Sequence, residues 1–178
     1  MKKVIILSIL WFFMSKDTLG QNVISIGKKI EPDKIAYIKL FGAINDTIPC
    51  DQSNTKLLSV VYNNKLSSCF EYLKTFDKAK ALKILNHLKS VKTYGGSDFA
   101  CFDTDYALVL YDEKGNIKGY TNISFFCNKL IPTPEIPERN YYSTKKLRLV
   151  GFSKSGRRIL LQLLGIKETE AVRSFHGN

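Results

Sequence analysis

Between Ala100 and Asn128 the chain reads ACFDTDYALVLYDEKGNIKGYTNISFFCN, with apolar residues on both sides of a polar turn. This pattern predicts a long β-hairpin, and the hairpin organises the reading of the rest of the chain. Its turn is Asp112-Glu113-Lys114-Gly115-Asn116. Asp suits the start of a type I turn, and Gly115 supplies the positive φ of a three-residue loop with a bulge. Closing the hairpin on Asp112 and Asn116 places Tyr111 opposite Ile117, Val109 opposite Gly119 and Cys101 opposite Cys127. In that register Cys101 falls in a non-hydrogen-bonded pair. There Cα atoms approach to about 4.5 Å, within the reach of a disulfide.

Upstream, Gln21 to Ser25 reads as a lead-in, and the apolar, β-branched run Lys34–Ile44 predicts a strand between Pro32-Asp33 and Asn45-Asp46. Asp46–Thr55 is a loop carrying Cys50, and Lys56–Tyr62 is a second strand. Asn63-Asn64 suits a tight turn because Asn tolerates positive φ. Lys65–Leu73 then returns as a strand bearing Cys69, or begins a helix.

Thr75–Val91 carries Ala81, Leu82, Leu85 and Leu88 at three- and four-residue steps, which predicts a helix capped by Asp77 or Thr75. Lys78, Lys80, Lys83 and Lys89 occupy its other face, and His87 belongs to that polar half as an exposed side chain. Tyr94-Gly95-Gly96 ends the element. After the hairpin, Leu130–Pro137 is a proline-rich connector barred from a central strand, and Asn140–Gly151 offers a basic edge strand. A second helix over Phe152–Gly165 has Ser153 or Ser155 as N-cap, Ile159, Leu160, Leu163 and Leu164 as its apolar face, and Gly165 as C-terminal cap. The last dozen residues, 170–178 above all, read as a frayed tail.

The N-terminus changes the compartment. Lys2 and Lys3 precede an apolar run from Val4 to Met14, and Thr18-Leu19-Gly20 offers small residues at a cleavage site. The run is short of the roughly 20 apolar residues that a membrane span needs. Residues 1–20 are therefore expected to be a signal peptide cleaved near Gly20. Residues 21–178 then form a single domain exported to the periplasm or secreted. The whole chain has 27 Lys and Arg against 16 Asp and Glu. Removing Lys2, Lys3, Lys16 and Asp17 leaves 24 against 15, a net charge of +9. Such a balance draws a protein toward anionic surfaces or acidic proteins, although excess lysine also serves solubility.

Export gives the four cysteines a meaning. An even count in an oxidising compartment predicts two disulfides. The hairpin register favours Cys101–Cys127 and leaves Cys50–Cys69. Zinc would want C-x-x-C knuckles, and none is present. No motif calls for a metal or a cofactor.

Two places carry candidate chemistry. Asp103 and Asp105 flank Thr104 on one face of the expected strand, next to Tyr106, and paired carboxylates can share a proton or hold a hard cation. The same segment also reads as a strand interruption. From Arg139 to Lys167 the chain has eight Lys and Arg and no acid. Lys145, Lys146, Arg148, Arg157 and Arg158, with Tyr141 and Tyr142 interleaved, can grip an anionic polymer by charge and stacking. Arg157 and Arg158 sit near a helix N-terminus, where the dipole disfavours cations. A solvated face is the structural counterpart of that reading. Asn45-Asp46-Thr47 and Asn122-Ile123-Ser124 match the glycosylation sequon.

Taken together, Tyr94-Gly95-Gly96, Ala100-Cys101-Phe102-Asp103, Val109-Leu110-Tyr111-Asp112 with Gly115, and Ile123-Ser124-Phe125-Phe126-Cys127-Asn128 resemble a family of small exported bacterial proteins of uncharacterised function. The closing helix with its Ser153-Lys154-Ser155-Gly156 start is part of the likeness, which spans Asp77 to Gly165. In that family the first cysteine motif continues with Pro and His; Thr104 and Tyr106 take those places here. The resemblance implies export and a shared hairpin, and carries over no activity.

The expected fold is α+β: an antiparallel sheet built on the central hairpin, with two helices packed on one face. Two functions follow from the residues. One is a disulfide-stabilised binding or inhibitor-like module with a basic surface for an anionic partner. The other is a small extracytoplasmic hydrolase using Asp103, Asp105 and Tyr106.

Overall fold

A computed structural model describes residues 23–44, 49–52, 57–97, 99, 101–143 and 150–173, the last two without their side chains. The expected signal peptide, the 45–47 sequon, Lys145, Lys146, Arg148 and residues 174–178 lie outside the described residues.

The strands are β1 (Tyr37–Ala43), β2 (Val61–Tyr62), β3 (Lys65–Leu66), β4 (Phe70–Phe76), β5 (Tyr94–Gly96), β6 (Tyr106–Tyr111), β7 (Ile117–Ser124), β8 (Lys129–Thr133) and β9 (Gly151–Phe152). The helices are α1 (Lys78–Leu88), α2 (Lys154–Leu164) and α3 (Glu168–Arg173). Five strands form an antiparallel sheet in the order β4-β1-β6-β7-β8, while β2–β3 and β5–β9 are separate two-stranded pairs. The fold is α+β, as the residue pattern predicts.

The period of two along the strands divides the core. Ile38 and Leu40 of β1 and Leu108 and Leu110 of β6 share one cluster with Ala81, Ile84, Leu85 and Leu88 of α1 and Leu160, Leu161 and Leu164 of α2. Phe41, Ala107, Val109, Tyr111 and Ile117 form the second cluster, with Val60, Cys69 and Phe70. One face of the sheet is thus covered by helices and the other by Cys50 and the 57–69 segment. Polar pegs hold that second cover. Asn122 Oδ1 accepts from the Val60 N–H at 3.0 Å, and the Thr104 hydroxyl donates to the Leu58 carbonyl at 2.7 Å. Asn122 is buried in this role, so its sequon match marks a structural residue rather than a glycan acceptor.

The hairpin is correct in its turn and shifted in its register. The Asp112 N–H donates to Asn116 O at 3.0 Å, Gly115 has φ 80°, and Tyr111 pairs with Ile117. A bulge between Leu110 and Tyr111 then moves every later pair by one residue, so that Gly119 faces Leu110 and Val109 faces Tyr120. β6 begins only at Tyr106, so Cys101 and Asp103 stand outside the ladder. Both expected disulfides are present nonetheless, with Cα separations of 5.7 Å for Cys101–Cys127 and 5.1 Å for Cys50–Cys69.

Other elements move by comparable amounts. The positive φ values of Asn63 and Asn64 make the expected tight turn, but only Val61–Tyr62 and Lys65–Leu66 pair around it. Asp77, not Thr75, caps α1 by accepting from the Lys80 N–H at 2.8 Å; Thr75 belongs to β4. Tyr94-Gly95-Gly96 is a strand paired with β9 rather than a helix stop. The proline-rich connector supplies β8, an edge strand, which is where a strand with Pro132 can be tolerated. In α2, Ser153 is the N-cap and Gly165 closes the helix at φ 65°. Leu161 is buried in α2, whereas Ile159 is 40% exposed. Glu168–Arg173, which the sequence assigns largely to a frayed end, form α3.

Candidate functional site

The two places that carry candidate chemistry in the sequence meet at one residue, Phe125. It lies in the turn after β7, on the helical side of the sheet, and is fully buried. The Tyr106 ring packs edge-on against it with centroids 5.8 Å apart, and the Arg157 guanidinium lies 5.3 Å from its centroid. The Phe125 N–H donates to Asp105 Oδ2 at 2.7 Å, and the Phe126 N–H reaches the same oxygen at 3.3 Å. The Phe125 carbonyl accepts from Arg157 Nη1.

This geometry gives Asp105 a structural duty. Its carboxylate is buried and accepts from two successive backbone N–H groups of the turn, those of Phe125 and Phe126. Asp103 is exposed, so the two carboxylates occupy different environments instead of one paired site. Tyr106 is half-buried, and burial, followed by the charges of Asp105 and Glu170, raises its hydroxyl pKa. A phenol whose pKa is pushed upward is a poor base at neutral pH.

Arg157 is similarly committed. Beyond Phe125, its Nε donates to Glu168 Oε1 at 2.8 Å and its Nη2 lies 2.7 Å from the same oxygen. This forked pairing fastens α3 to α2. The Glu168 carboxylate and the Phe125 ring face and carbonyl also offset the cost of a cation in the first turn of α2.

Lys154, Ser155 and Arg158 remain exposed on the outer side of α2. With Arg157 and Glu168 they line an open depression of about 490 Å³. The start of α2 is built by Ser153, whose Oγ accepts from the Gly156 N–H at 3.0 Å and donates to the Lys92 carbonyl at 2.8 Å. Tyr141, 69% exposed, and Tyr142 follow a short 3₁₀ turn, Pro137–Asn140, and their rings meet edge-on. The Tyr142 ring lies over Gly95 of β5. Of the expected basic set, Arg158 is presented to solvent, Arg157 is partly buried and paired with Glu168, and Tyr141 and Tyr142 lie exposed on neighbouring backbone.

His87 departs most from expectation. It is half-buried between α1 and α2: Nε2 lies 2.8 Å from the Gly156 carbonyl and Nδ1 3.4 Å from the Thr93 hydroxyl. Burial lowers its pKa, opposed by the bond to Gly156. The sequence gives one signal for this contact. Gly156 stands in the first turn of α2, where a Cβ would collide with the Thr93 backbone.

Cys50, Asp51 and Cys69 bring metal-binding atom types together, but both sulfurs are taken by the disulfide. Asp51 Oδ1 instead accepts from the Ser67 hydroxyl at 2.6 Å and the Ser68 N–H at 3.1 Å. Among the described residues no helix is long and apolar enough to cross a membrane. No protein-family description, curated protein or solved structure matches the chain.

Proposed function

We propose that this protein is an exported, disulfide-stabilised binding or inhibitor-like module that engages an anionic partner through the outer side of α2 and the neighbouring basic segment. The observation that carries the reading is the depression beside Lys154 and Arg158, whose cations project to solvent while Arg157 is paired with Glu168. Lys145, Lys146 and Arg148 extend the same basic stretch in sequence. Two disulfides support an oxidising compartment, in keeping with the basic-then-apolar N-terminus. The likeness to small exported bacterial proteins fits the same reading.

The hydrolase reading has less support, because Asp105 is occupied by the turn that it holds and Asp103 stands apart in solvent. Retention on an anionic matrix tests the proposal. Replacing Lys145, Lys146, Lys154 and Arg158 with Gln lowers the salt needed for elution, while Arg157 is left in place to preserve the fold. An unchanged elution salt removes the basic stretch from consideration.

A further inference from the structure

The cationic surface is broader than the α2 segment. α1 and α2 together contain Lys78, Lys80, Lys83, Lys154, Arg157 and Arg158, and neither helix contains an Asp or Glu. The His87–Gly156 contact packs the two side by side, and both send their apolar residues into one cluster against the sheet. Their outward residues therefore form a single two-helix layer. Lys83, Lys154 and Arg158 are exposed on it and Lys80 is partly so. Ile159, 40% exposed, stands on the outer surface of the same layer, an apolar side chain with no place in the core.

Resting on the anion-binding reading above, we infer that the outer face of α1 and α2 docks on the surface of an anionic lipid bilayer. Three features select a bilayer over other polyanions. The cations sit on two neighbouring helices, presenting a broad surface rather than a groove that would follow a single strand. On α1 they are Lys80 and Lys83, point charges on flexible stems that suit diffuse surface charge more than the bidentate geometry of an individual phosphate. Ile159 among them offers an apolar group that settles at the headgroup boundary. Each lysine or arginine held near such a surface strengthens binding by about fivefold.

The test uses the processed, disulfide-bonded protein purified from a secretory host, so that the apolar N-terminal run is absent. It is sedimented with vesicles of phosphatidylcholine alone or with one lipid in three replaced by phosphatidylglycerol. Binding is expected only to the anionic vesicles. Lys80→Gln with Lys83→Gln weakens it by about 25-fold, and Ile159→Ser weakens it without changing retention on soluble heparin. Lys29→Gln with Lys118→Gln removes equal charge from a separate cavity of about 250 Å³ and serves as the control. An equal loss in that control overturns the inference, because net charge alone would then explain the binding. If Ile159→Ser is silent on vesicles while Lys154→Gln and Arg158→Gln still lower heparin retention, the partner is a soluble polyanion; the bilayer inference falls and the anion-binding reading stands. Absence of binding to both vesicles and heparin removes both.

Discussion

Nε2 of His87 and the carbonyl oxygen of Gly156 lie 2.8 Å apart, joining the last turn of α1 to the first turn of α2. The ring is half-buried there, and burial depresses its pKa below the ordinary 6.5, with the Gly156 bond working the other way. The folded state therefore prefers the neutral ring more than the unfolded chain does. Stability from this source is complete above the unfolded value and is lost as pH falls through it toward the depressed folded value. Urea unfolding followed from about pH 8 to about pH 5 should show a falling midpoint on the acid side. His87→Gln should flatten that part of the curve.

Asp105 ties the end of β7 to the start of β6 through two backbone donors. Asp105→Ala removes the acceptor of the buried Phe125 N–H and should cost about 1 to 3 kcal/mol. Asp105→Asn keeps one acceptor and should cost less. Chemical denaturation of the two variants distinguishes them. A catalytic Asp105 would instead lose activity with little change in stability.

Ala in place of Gly within a helix ordinarily stabilises by about 0.5 to 1 kcal/mol. At position 156 the sign should reverse. A Cβ there would strike the Thr93 backbone, which is anchored by its own bonds to Ser90 and Ser153. Gly156→Ala is expected to destabilise by about 1 to 3 kcal/mol, read as a lower thermal midpoint. A rise would show that the two helices can separate without loss.

Glu168 is the partner that holds Arg157 and, through it, α3. Glu168→Gln should speed hydrogen exchange in α3 while leaving α1 and the sheet unchanged, since among the described side chains of α3 Ala171 alone enters the core cluster. Exchange that remains slow in α3 would assign its docking to apolar contacts such as that of Ala171.

Reduction tests the two bridges. Intact unreduced mass should show no free thiol, and closing loops separated by 19 and 26 residues is worth roughly 3 to 4 kcal/mol each in the chain-entropy account. The urea midpoint should fall accordingly in the presence of a reductant.

How much of this was legible in the residues depends on range. Local signals were sufficient for the Asp112–Asn116 turn, the Asn63-Asn64 turn, the Asp77 and Ser153 caps and the Gly165 stop, because each is decided within four or five residues. The register beyond Leu110 was not, since a bulge alters backbone geometry without changing the apolar alternation around it. Tyr94-Gly95-Gly96 reads as a stop because its partner, Gly151–Phe152, lies far along the chain. A Cβ on Gly96 would meet the Phe152 carbonyl, and nothing near Gly96 announces that. Arg157 and His87 were misplaced for the same reason. Periodicity assigns a polar side chain to the solvent side, and only the tertiary partners Phe125, Glu168 and Gly156 draw it inward. The Cys101–Cys127 bond was anticipated correctly although its strand argument failed, because Cys101 lies before the ladder begins.

The sheet has covers of unequal kind. Helices close one face through apolar packing, whereas the other is closed by a segment held by pegs such as Asn122 and Thr104 and by the Cys50–Cys69 bond. Heat threatens both, whereas loss of the Cys50–Cys69 bond weakens the second cover in particular. A molecule that fails to oxidise there would expose Phe41, Val109 and Tyr111 while retaining its cationic helices. Its newly exposed apolar face would invite chaperones and proteases, while the helical face stayed packed. Oxidation of Cys50 and Cys69 thus secures the sheet face that lies opposite the helices.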